Sequence, residues 1–346
     1  MKGLIKLLSN NPKALFGCSI LFIFIFMAVF APLITGHVPD KRTGKPHEYP
    51  GAIVKMAQAS PDGWVAQNLA DDKRKMLMSK KADHVLGTTR MGRDVWAQVA
   101  YGARVSLAVG FGAGIVVCFL ATVVGISAGY FGGRVDDILS AAMNIMLVIP
   151  QYPLLFVLAA FIGEAGPLTI ALIIGMTSWA WGARVIRAQT MSLREKEFVK
   201  AAEVLGESRI RIIFIEILPN LISIVGASFI GSVSYAIVTE ATISFLGLGD
   251  PGTISWGIML YNVQTSSAIL IGAWWELLAP CLALSTLAIG LSMLNFAVDE
   301  IANPQLRSNK GMKRWEKMAK KDKESRTPHT AVPSFAGVKD LAGGEK

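Results

Sequence analysis

Residues 103–129 read ARVSLAVGFGAGIVVCFLATVVGISAG, and after Arg104 this stretch contains no charged residue. A bilayer core about 30 Å thick needs roughly 20 apolar residues in a helix, so the stretch is long enough to span a membrane. Five further blocks of similar character occur along the chain. We place the six predicted spans at 14–36, 103–129, 137–162, 167–187, 212–245 and 271–298. The sequence therefore predicts an all-α polytopic membrane protein with six transmembrane helices.

The overall composition favours a membrane protein over a soluble one. Hydrophobic residues make up 52% of the 346 positions and charged residues only 17%, against about 25% charged residues in an ordinary globular domain. The formal net charge of +9 does not indicate a nucleic-acid binder, because the basic residues lack interleaved aromatic residues and lie beside apolar blocks. Cys18, Cys118 and Cys281 lie in apolar blocks without disulfide or metal spacing. The lipid bilayer is therefore an expected partner and nucleic acid is not.

The distribution of Lys and Arg predicts the orientation of the spans, because short connections rich in these residues stay on the cytoplasmic side. The connections at 163–166 and 246–270 contain neither residue. Seven of them lie around the connection between the fourth and fifth blocks: Arg184, Arg187, Arg194, Lys196, Lys200, Arg209 and Arg211. The tail after the sixth block carries eleven more. We therefore predict that both termini and the segment 188–211 are cytoplasmic.

Four regions follow from this topology. They are 1–36, the cytoplasmic N-terminus and first transmembrane helix; 37–97, an extracytoplasmic loop or small subdomain with a short helix at 63–81; 98–307, a five-helix core with a cytoplasmic loop at 188–217; and 308–346, a basic cytoplasmic tail. The first apolar block exceeds the roughly 7–15 residues of a signal peptide core, so we expect a retained helix. The loop at 37–97 carries eleven Lys and Arg residues, but long loops are translocated largely regardless of charge.

The segment 194–220, REKEFVKAAEVLGESRIRIIFIEILPN, carries the clearest functional pattern. It reads as a short helix, a break at Gly206 and a second helix that leads into the fifth span. Four residues of the short helix share one face, at positions i, i+3, i+4 and i+7: Phe198, Ala201, Ala202 and Leu205. That face has a bulky end and a small-residue centre, which can seat in a groove of a partner protein. The alternative is a charged interhelical loop that merely contains a turn.

This segment resembles the EAA loop of ABC importer permeases, in which an Ala pair, a glycine four residues later and a proline recur. Those positions are matched by Ala201, Ala202, Gly206 and Pro219. Lys200 stands where the signature has Glu, and Glu216 stands where related sequences often have His, so the roles of these two side chains stay open. The resemblance implies that the loop 188–217 couples the pore to a separate ATPase. The implied coupling residues are Phe198, Lys200, Ala201, Ala202, Leu205, Gly206 and Pro219.

Six further motifs occur in order along the chain: HVLGTTRMGRD at 84–94, YGARVSL at 101–107, GYFGGRVD at 129–136, EATISFLGLG at 240–249, SWG at 255–257 and NPQLR at 303–307. They resemble the C-type permeases of dipeptide, oligopeptide and nickel importers. The resemblance implies an ABC type I importer permease fold in a bacterial or archaeal cell (inner) membrane. Implied partners are a second homologous permease subunit, two cytoplasmic ATPase subunits and an extracytoplasmic solute-binding protein. Dipeptides or oligopeptides are the expected cargo, with nickel chelates or oligosaccharides as alternatives.

Three further features have both a functional and a structural interpretation. Glu240 lies near the end of the fifth predicted span, where an acid is costly; it can line the translocation path or hold a hydrogen bond within the bundle, and we favour the structural role. The turn before the second span can contact solute, or can be a helix cap with Arg93 and Asp94 solvated. Gly110 and Gly114 have GxxxG spacing, which suits close helix contact within a bundle or on a dimer face.

Enzymatic function is not expected, because the chain has no Walker-type GxxxxGK[S/T] motif and no HExxH motif. The four histidines, His37, His47, His84 and His329, lie far apart in sequence and outside the predicted helices. We therefore expect no intramembrane metal centre and no cofactor. A secondary transporter would need paired ionisable sites within the spans, and a channel would need no ATPase-docking helix. The sequence thus predicts a permease subunit whose ATPase activity lies in separate subunits.

Overall fold

The computed structural model describes residues 11–59 and 84–302, and the regular secondary structure of these residues is helical, with two isolated bridges and no strand among them. The all-α prediction is therefore confirmed for the described part of the chain. The helices are α1 Pro12–Val29, α2 Ala31–Thr35, α3 Gly51–Ala59, α4 Val95–Phe131, α5 Gly133–Val148, α6 Gln151–Ile162, α7 Pro167–Thr177, α8 Trp179–Arg194, α9 Glu197–Val204, α10 Arg209–Arg211, α11 Leu218–Phe245, α12 Trp256–Thr265 and α13 Trp274–Ala302.

Each of the six predicted spans coincides with a long helix or with a bent helix pair. Within the described ranges, four stretches are long and apolar enough to cross a bilayer alone: α1, α4, Arg209–Phe245 and α13. The α5–α6 pair bends by 84° and the α7–α8 pair by 41°. If each pair forms one span, the number of candidate membrane spans rises to six. The first bend falls at Ile149, whose extended backbone is the conformation that a following proline favours.

Helix α4 is the central helix of the bundle and packs along both α8 and α11. Its glycines permit the close approach, since a Cβ atom on Gly110 would lie 2.3 Å from Ile237 Cγ1, and one on Gly114 would lie 2.6 Å from Val233 Cγ2. Both contacts are with α11 of the same chain. The GxxxG pair therefore serves packing within the subunit, and its interpretation as a dimer face is wrong, because the glycine surface is already covered.

The N-terminus of α4 is capped by Asp94, whose Oδ1 accepts a hydrogen bond of 2.9 Å from the Trp96 amide. The predicted cap is thus present, but the prediction that Asp94 is solvated is wrong, because its side chain is buried. The imidazoles of His37 and His84 lie against the carboxylate and shield it from solvent. Arg93 remains partly exposed.

Arg104, the one charged residue in the stretch 103–129, attaches α1 to α4. Its guanidinium donates to the carbonyl oxygens of Ala28 and Val29 at the C-terminus of α1. The last carbonyls of a helix have no partner within the helix, and a cation is favourable there. The charge that interrupts the apolar stretch is therefore satisfied by a neighbouring helix end.

A π-helical stretch, Ile212–Ile217, joins α10 to α11 directly before Pro219. Proline has no amide proton, and its ring clashes with the carbonyl four residues earlier in a regular helix. The wider π-turn accommodates this ring, and the Asn220 side chain donates a 2.6 Å hydrogen bond to the carbonyl of Glu216. The second helix of the predicted loop therefore continues into the fifth span without a break.

Four predictions fall outside the described residues: the helix at 63–81, the NPQLR motif at 303–307, the tail at 308–346 and His329. Residues up to Asp299 form one compact unit. Glu300–Lys346 form a second unit, of which the structure describes only the end of α13. The boundaries of the four predicted regions stay a prediction.

Candidate functional site

Helix α9 carries most of the predicted coupling residues and is bounded as the sequence suggests. The helix ends at Val204, two residues before Gly206, which adopts φ 79°, a left-handed conformation that glycine reaches without strain. The Gly206 amide donates to the Glu203 carbonyl at 3.1 Å, and the Glu207 amide donates to the Ala202 carbonyl at 3.1 Å. These two bonds form a Schellman motif, which satisfies the last carbonyls of the helix. The polypeptide then turns sharply into α10.

The predicted face of α9 is largely open to solvent. Phe198, Ala201 and Leu205 are exposed and Ala202 is half-buried. Leu205 is 82% exposed, and its neighbour Val204, which the sequence interpretation left out, is 88% exposed. The tip of α9 therefore presents an apolar surface that the described part of the chain does not cover, whereas its centre carries only small side chains.

The side of α9 that includes Ala202 is fixed to the bundle by Val199, which is fully buried. Val199 belongs to a hydrophobic cluster built mainly from α4, α8 and the π-helical stretch, and Ala202 packs against the same cluster. Other members of the cluster are Tyr130, Ile186, Ile212 and Ile217. The sequence interpretation missed Val199. Its position three residues before Ala202 places the two side chains on the same side of a helix, and this spacing could have identified it.

Polar contacts reinforce this attachment. The Tyr130 hydroxyl at the end of α4 donates a 3.3 Å hydrogen bond to the Glu203 carboxylate of α9. Arg194 at the end of α8 donates to the carbonyl oxygen of Tyr130 at 3.3 Å. Arg187 of α8 binds the Asp136 carboxylate of α5 through two nitrogens, at 2.5 and 2.6 Å. Bidentate pairs of this kind fix orientation as well as distance, so α4, α5, α8 and α9 are held as one unit.

Lys200 and Pro219 differ in position from the other predicted residues. Lys200 is exposed on α9, and its ammonium lies 2.8 Å from Glu195. Hydrogen bonding and charge from Lys200 lower the pKa of the Glu195 carboxyl below its usual value. This pair is solvated and contributes little to stability. Pro219 lies in the first turn of α11 and not on α9, so the structure groups Phe198, Lys200, Ala201, Ala202, Leu205 and Gly206 without it.

Glu240 is buried in α11 within a network of hydroxyl groups. Its carboxylate accepts hydrogen bonds from Ser106 of α4 at 3.2 Å and from Ser244 at 2.9 Å. The Ser106 hydroxyl in turn accepts from the Trp256 amide at 3.4 Å. The network thus joins α4, α11 and the start of α12. This geometry favours the packing interpretation of Glu240 over a position on an open path.

Two family profiles match the chain. The profile "Binding-protein-dependent transport system inner membrane component" matches residues 121–308, more than half of the sequence. The profile "N-terminal TM domain of oligopeptide transport permease C" matches residues 3–50.

Relatives match most of the chain. The dipeptide transport system permease protein DppC of Bacillus subtilis (strain 168) is 30% identical over 301 residues, which cover 87% of this chain and 84% of the relative. The protein of the same description from Alkalihalophilus pseudofirmus is 31% identical over 305 residues, covering 88% and 89%. The Bacillus subtilis oligopeptide transport system permease protein OppC is 27% identical over 299 residues, covering 86% and 87%. A structure of the MetNI methionine ABC transporter aligns with a TM-score of 0.47 and 19% identity, over 59% of this chain and 94% of that chain.

Proposed function

This chain belongs to the family of binding-protein-dependent transport system inner membrane components, and from that premise we propose that it is the permease subunit of an ATP-driven peptide importer. As a member of this family it is an integral membrane protein and one component of a transport complex. The observation that carries the proposed mechanism is α9, a short helix with an exposed apolar tip and one buried anchor. The printed names of the relatives, dipeptide and oligopeptide permeases, support peptides as the cargo.

We infer that two cytoplasmic ATPase subunits, a second homologous permease and an extracytoplasmic solute-binding protein complete the transporter. The asymmetry of positive charge supports an arrangement with both termini and α9 in the cytoplasm. Lys and Arg surround α9, whereas the connections at 163–166 and 246–270 contain none. The solute-binding protein then meets the opposite side of the bundle, where it delivers its cargo.

In this mechanism α9 sits in a cleft of an ATPase subunit. The side chains of Phe198, Val204 and Leu205 lose their exposure there, and burial of apolar surface provides the binding free energy. Ala201 lets the wall of the cleft approach the helix backbone closely. The departure of Lys200 from the family signature is then harmless, because its ammonium is solvated and already pairs with Glu195.

Closure of the ATPase subunits on ATP would displace α9, and two contacts would pass this displacement to the bundle. Val199 inserts into the cluster between α4 and α8, and the Glu203 carboxylate binds the Tyr130 hydroxyl at the end of α4. Because α4 packs along α8 and α11, movement of its end reorients the central helices together. The bundle opens outward in this state and returns after hydrolysis.

A matched pair of substitutions tests the docking step. Leu205 is 82% exposed at the tip of α9, and Leu270 is 87% exposed in the connection between α12 and α13, on the opposite side in the proposed topology. We expect Leu205→Asp to abolish co-purification of the ATPase subunits with the permease, whereas Leu270→Asp retains them. Equal retention in the two variants would refute docking through α9.

Two further substitutions test the shape of α9 by uptake in the complete transporter. Gly206→Pro removes the left-handed turn, and Ala202→Trp places a large ring where Ala202 packs against the bundle cluster, so both should abolish transport. Gly206→Asn is the control, because Asn tolerates the left-handed conformation and no atom lies within 4 Å of a Cβ at this position. Normal uptake in Gly206→Pro and Ala202→Trp would contradict the assignment.

The cargo is tested with the cognate solute-binding protein and the complete transporter in proteoliposomes. We expect ATP-dependent uptake of labelled dipeptides or short oligopeptides. Uptake of a nickel chelate or an oligosaccharide without peptide uptake would overturn the peptide assignment and leave the importer function intact.

A further inference from the structure

Three side chains from separate parts of the chain meet at the N-terminus of α4: His37, His84 and Asp94. His37 Nδ1 lies 2.9 Å from Asp94 Oδ2, and His84 Nδ1 lies 3.6 Å from the same oxygen. One potential ligand atom from each residue lies within 4.8 Å of the other two. Nitrogen and oxygen ligands bind tetrahedral Zn²⁺ at about 2.0–2.2 Å and are therefore about 3.4 Å apart. The observed distances to Asp94 Oδ2 fall on either side of that value.

The surroundings of His84 leave one of its ring nitrogens available as a metal ligand. His84 is only 4% exposed, and its Nδ1 has no hydrogen-bond partner in the described part of the chain. Its Nε2 faces the Glu48 carboxylate at 3.8 Å. A carboxylate on that side favours the proton on Nε2, which leaves the lone pair of Nδ1 directed toward Asp94. Histidine ligands of metals typically have this arrangement, with the second ring nitrogen turned toward a carboxylate.

The two carboxylate oxygens of Asp94 make different contacts. Oδ1 accepts the 2.9 Å hydrogen bond from the Trp96 amide and caps α4. Oδ2 faces both imidazoles. The carboxylate can therefore bind a cation through Oδ2 while it keeps its structural role through Oδ1. His84 and Asp94 are buried and His37 is half-buried. The cluster therefore differs from the groups of solvated carboxylates that are common on protein surfaces.

We propose that His37, His84 and Asp94 form a binding site for a divalent transition-metal ion, with Zn²⁺ as the best match. Two imidazole nitrogens and one carboxylate oxygen suit Zn²⁺, whereas Ca²⁺ and Mg²⁺ prefer sets of oxygen ligands. Three protein ligands leave a fourth position for water. The ion joins the segment after α2, the segment before α4 and α4 itself.

The experiment uses the full-length chain in lipid nanodiscs, purified with a tag that contains no histidine. Zn²⁺ binding is measured by competition with a chromophoric chelator, and bound metal is counted by mass spectrometry. We expect one tightly bound Zn²⁺ per chain. His37→Gln and Asp94→Asn should each weaken binding at least about 100-fold, more than the loss of an outer partner typically does. Asn retains an oxygen that can accept the hydrogen bond from the Trp96 amide, so Asp94→Asn keeps the cap of α4 while it removes the charged ligand.

His47→Gln is the matched control, because His47 also contacts a carboxylate, Glu276 at 2.6 Å, but lies outside the cluster. This variant should bind Zn²⁺ like the wild type. Absence of stoichiometric Zn²⁺ from the wild type would overturn the proposal and would identify the cluster as an ion-pair network only. Binding that is unchanged in His37→Gln and Asp94→Asn, or equally weakened in His47→Gln, would also overturn it. None of these measurements depends on ATPase docking or on the cargo.

Discussion

Tyr130 and Glu203 are 73 positions apart, yet the phenol hydroxyl of the first donates a 3.3 Å hydrogen bond to the carboxylate of the second. The bond connects the last turn of the central helix α4 to the short helix α9. Because Val199 anchors α9 in the adjacent hydrophobic cluster, this helix is part of the bundle and not a free loop. A force applied to α9 must therefore act on the end of α4.

Removal of this bond should weaken coupling without loss of assembly. We expect Tyr130→Phe and Glu203→Ala each to lower the amount of solute imported per ATP hydrolysed, since each removes about 1 kcal/mol of attachment. The double variant should be no worse than either single one, because all three lack the same contact. The measurement is uptake and ATP hydrolysis in the same proteoliposomes. Additive losses in the double variant would show that the two residues act separately.

Val199 and Val204 lie on different sides of α9, and their substitution by Ala should affect different properties of the protein. Val199→Ala leaves a cavity in the cluster and should lower the free energy of unfolding by about 2 kcal/mol. Val204→Ala should leave this free energy unchanged, since the side chain is 88% exposed, but should weaken ATPase binding. Denaturant unfolding of the permease and co-purification of the ATPase measure the two effects. The same pattern in both variants would contradict the assignment of an anchor side and a docking side.

Glu240 is tested by substitutions that keep or remove its hydrogen bonds. Gln retains an acceptor oxygen for Ser106 and Ser244, so Glu240→Gln should assemble and transport nearly normally. Glu240→Leu leaves those buried hydroxyls unpaired, at a cost of about 1–3 kcal/mol each, and should reduce the yield of assembled complex. Size-exclusion chromatography and uptake distinguish the outcomes. Intact assembly with lost uptake in Glu240→Gln would instead place this carboxylate on the translocation path.

The sequence predicted the elements whose signal is local and could not predict the contacts between them. Apolar length located the four long helices and the two bent helix pairs, and Gly206 marked the end of α9, because both signals depend on neighbouring residues alone. Periodicity placed Phe198 and Leu205 on one face of α9, but it did not reveal that Val199 fills the bundle cluster. Glycine spacing likewise predicted close packing at Gly110 without identifying α11 as the partner.

The contacts of the histidines also could not be predicted from the sequence. Separation in sequence suggested that no metal centre would form within the membrane, and no observation tests that expectation. The structure brings His37 and His84 together outside the long helices, where Asp94 begins α4. This meeting requires that the segments before α3 and before α4 pack on one another, as the hydrogen bond from the Thr88 amide to the Glu48 carbonyl at 3.0 Å indicates. Such a pairing of two loops has no periodic signal in the sequence.

Close packing between α4 and α8 gives the last prediction. A Cβ atom on Gly125 would lie 2.7 Å from the carbonyl oxygen of Ala183 and 2.8 Å from Ile186 Cβ. Backbone atoms cannot move aside cheaply, so Gly125→Ala should separate the two helices and lower the free energy of unfolding by about 1–3 kcal/mol. Gly226→Ala in α11 is the control, because no atom lies within 4 Å of its Cβ position. There the better helix propensity of Ala should maintain the stability or raise it by up to about 1 kcal/mol. Denaturant unfolding of both variants measures the difference, and equal stabilities would show that α4 and α8 do not pack through Gly125.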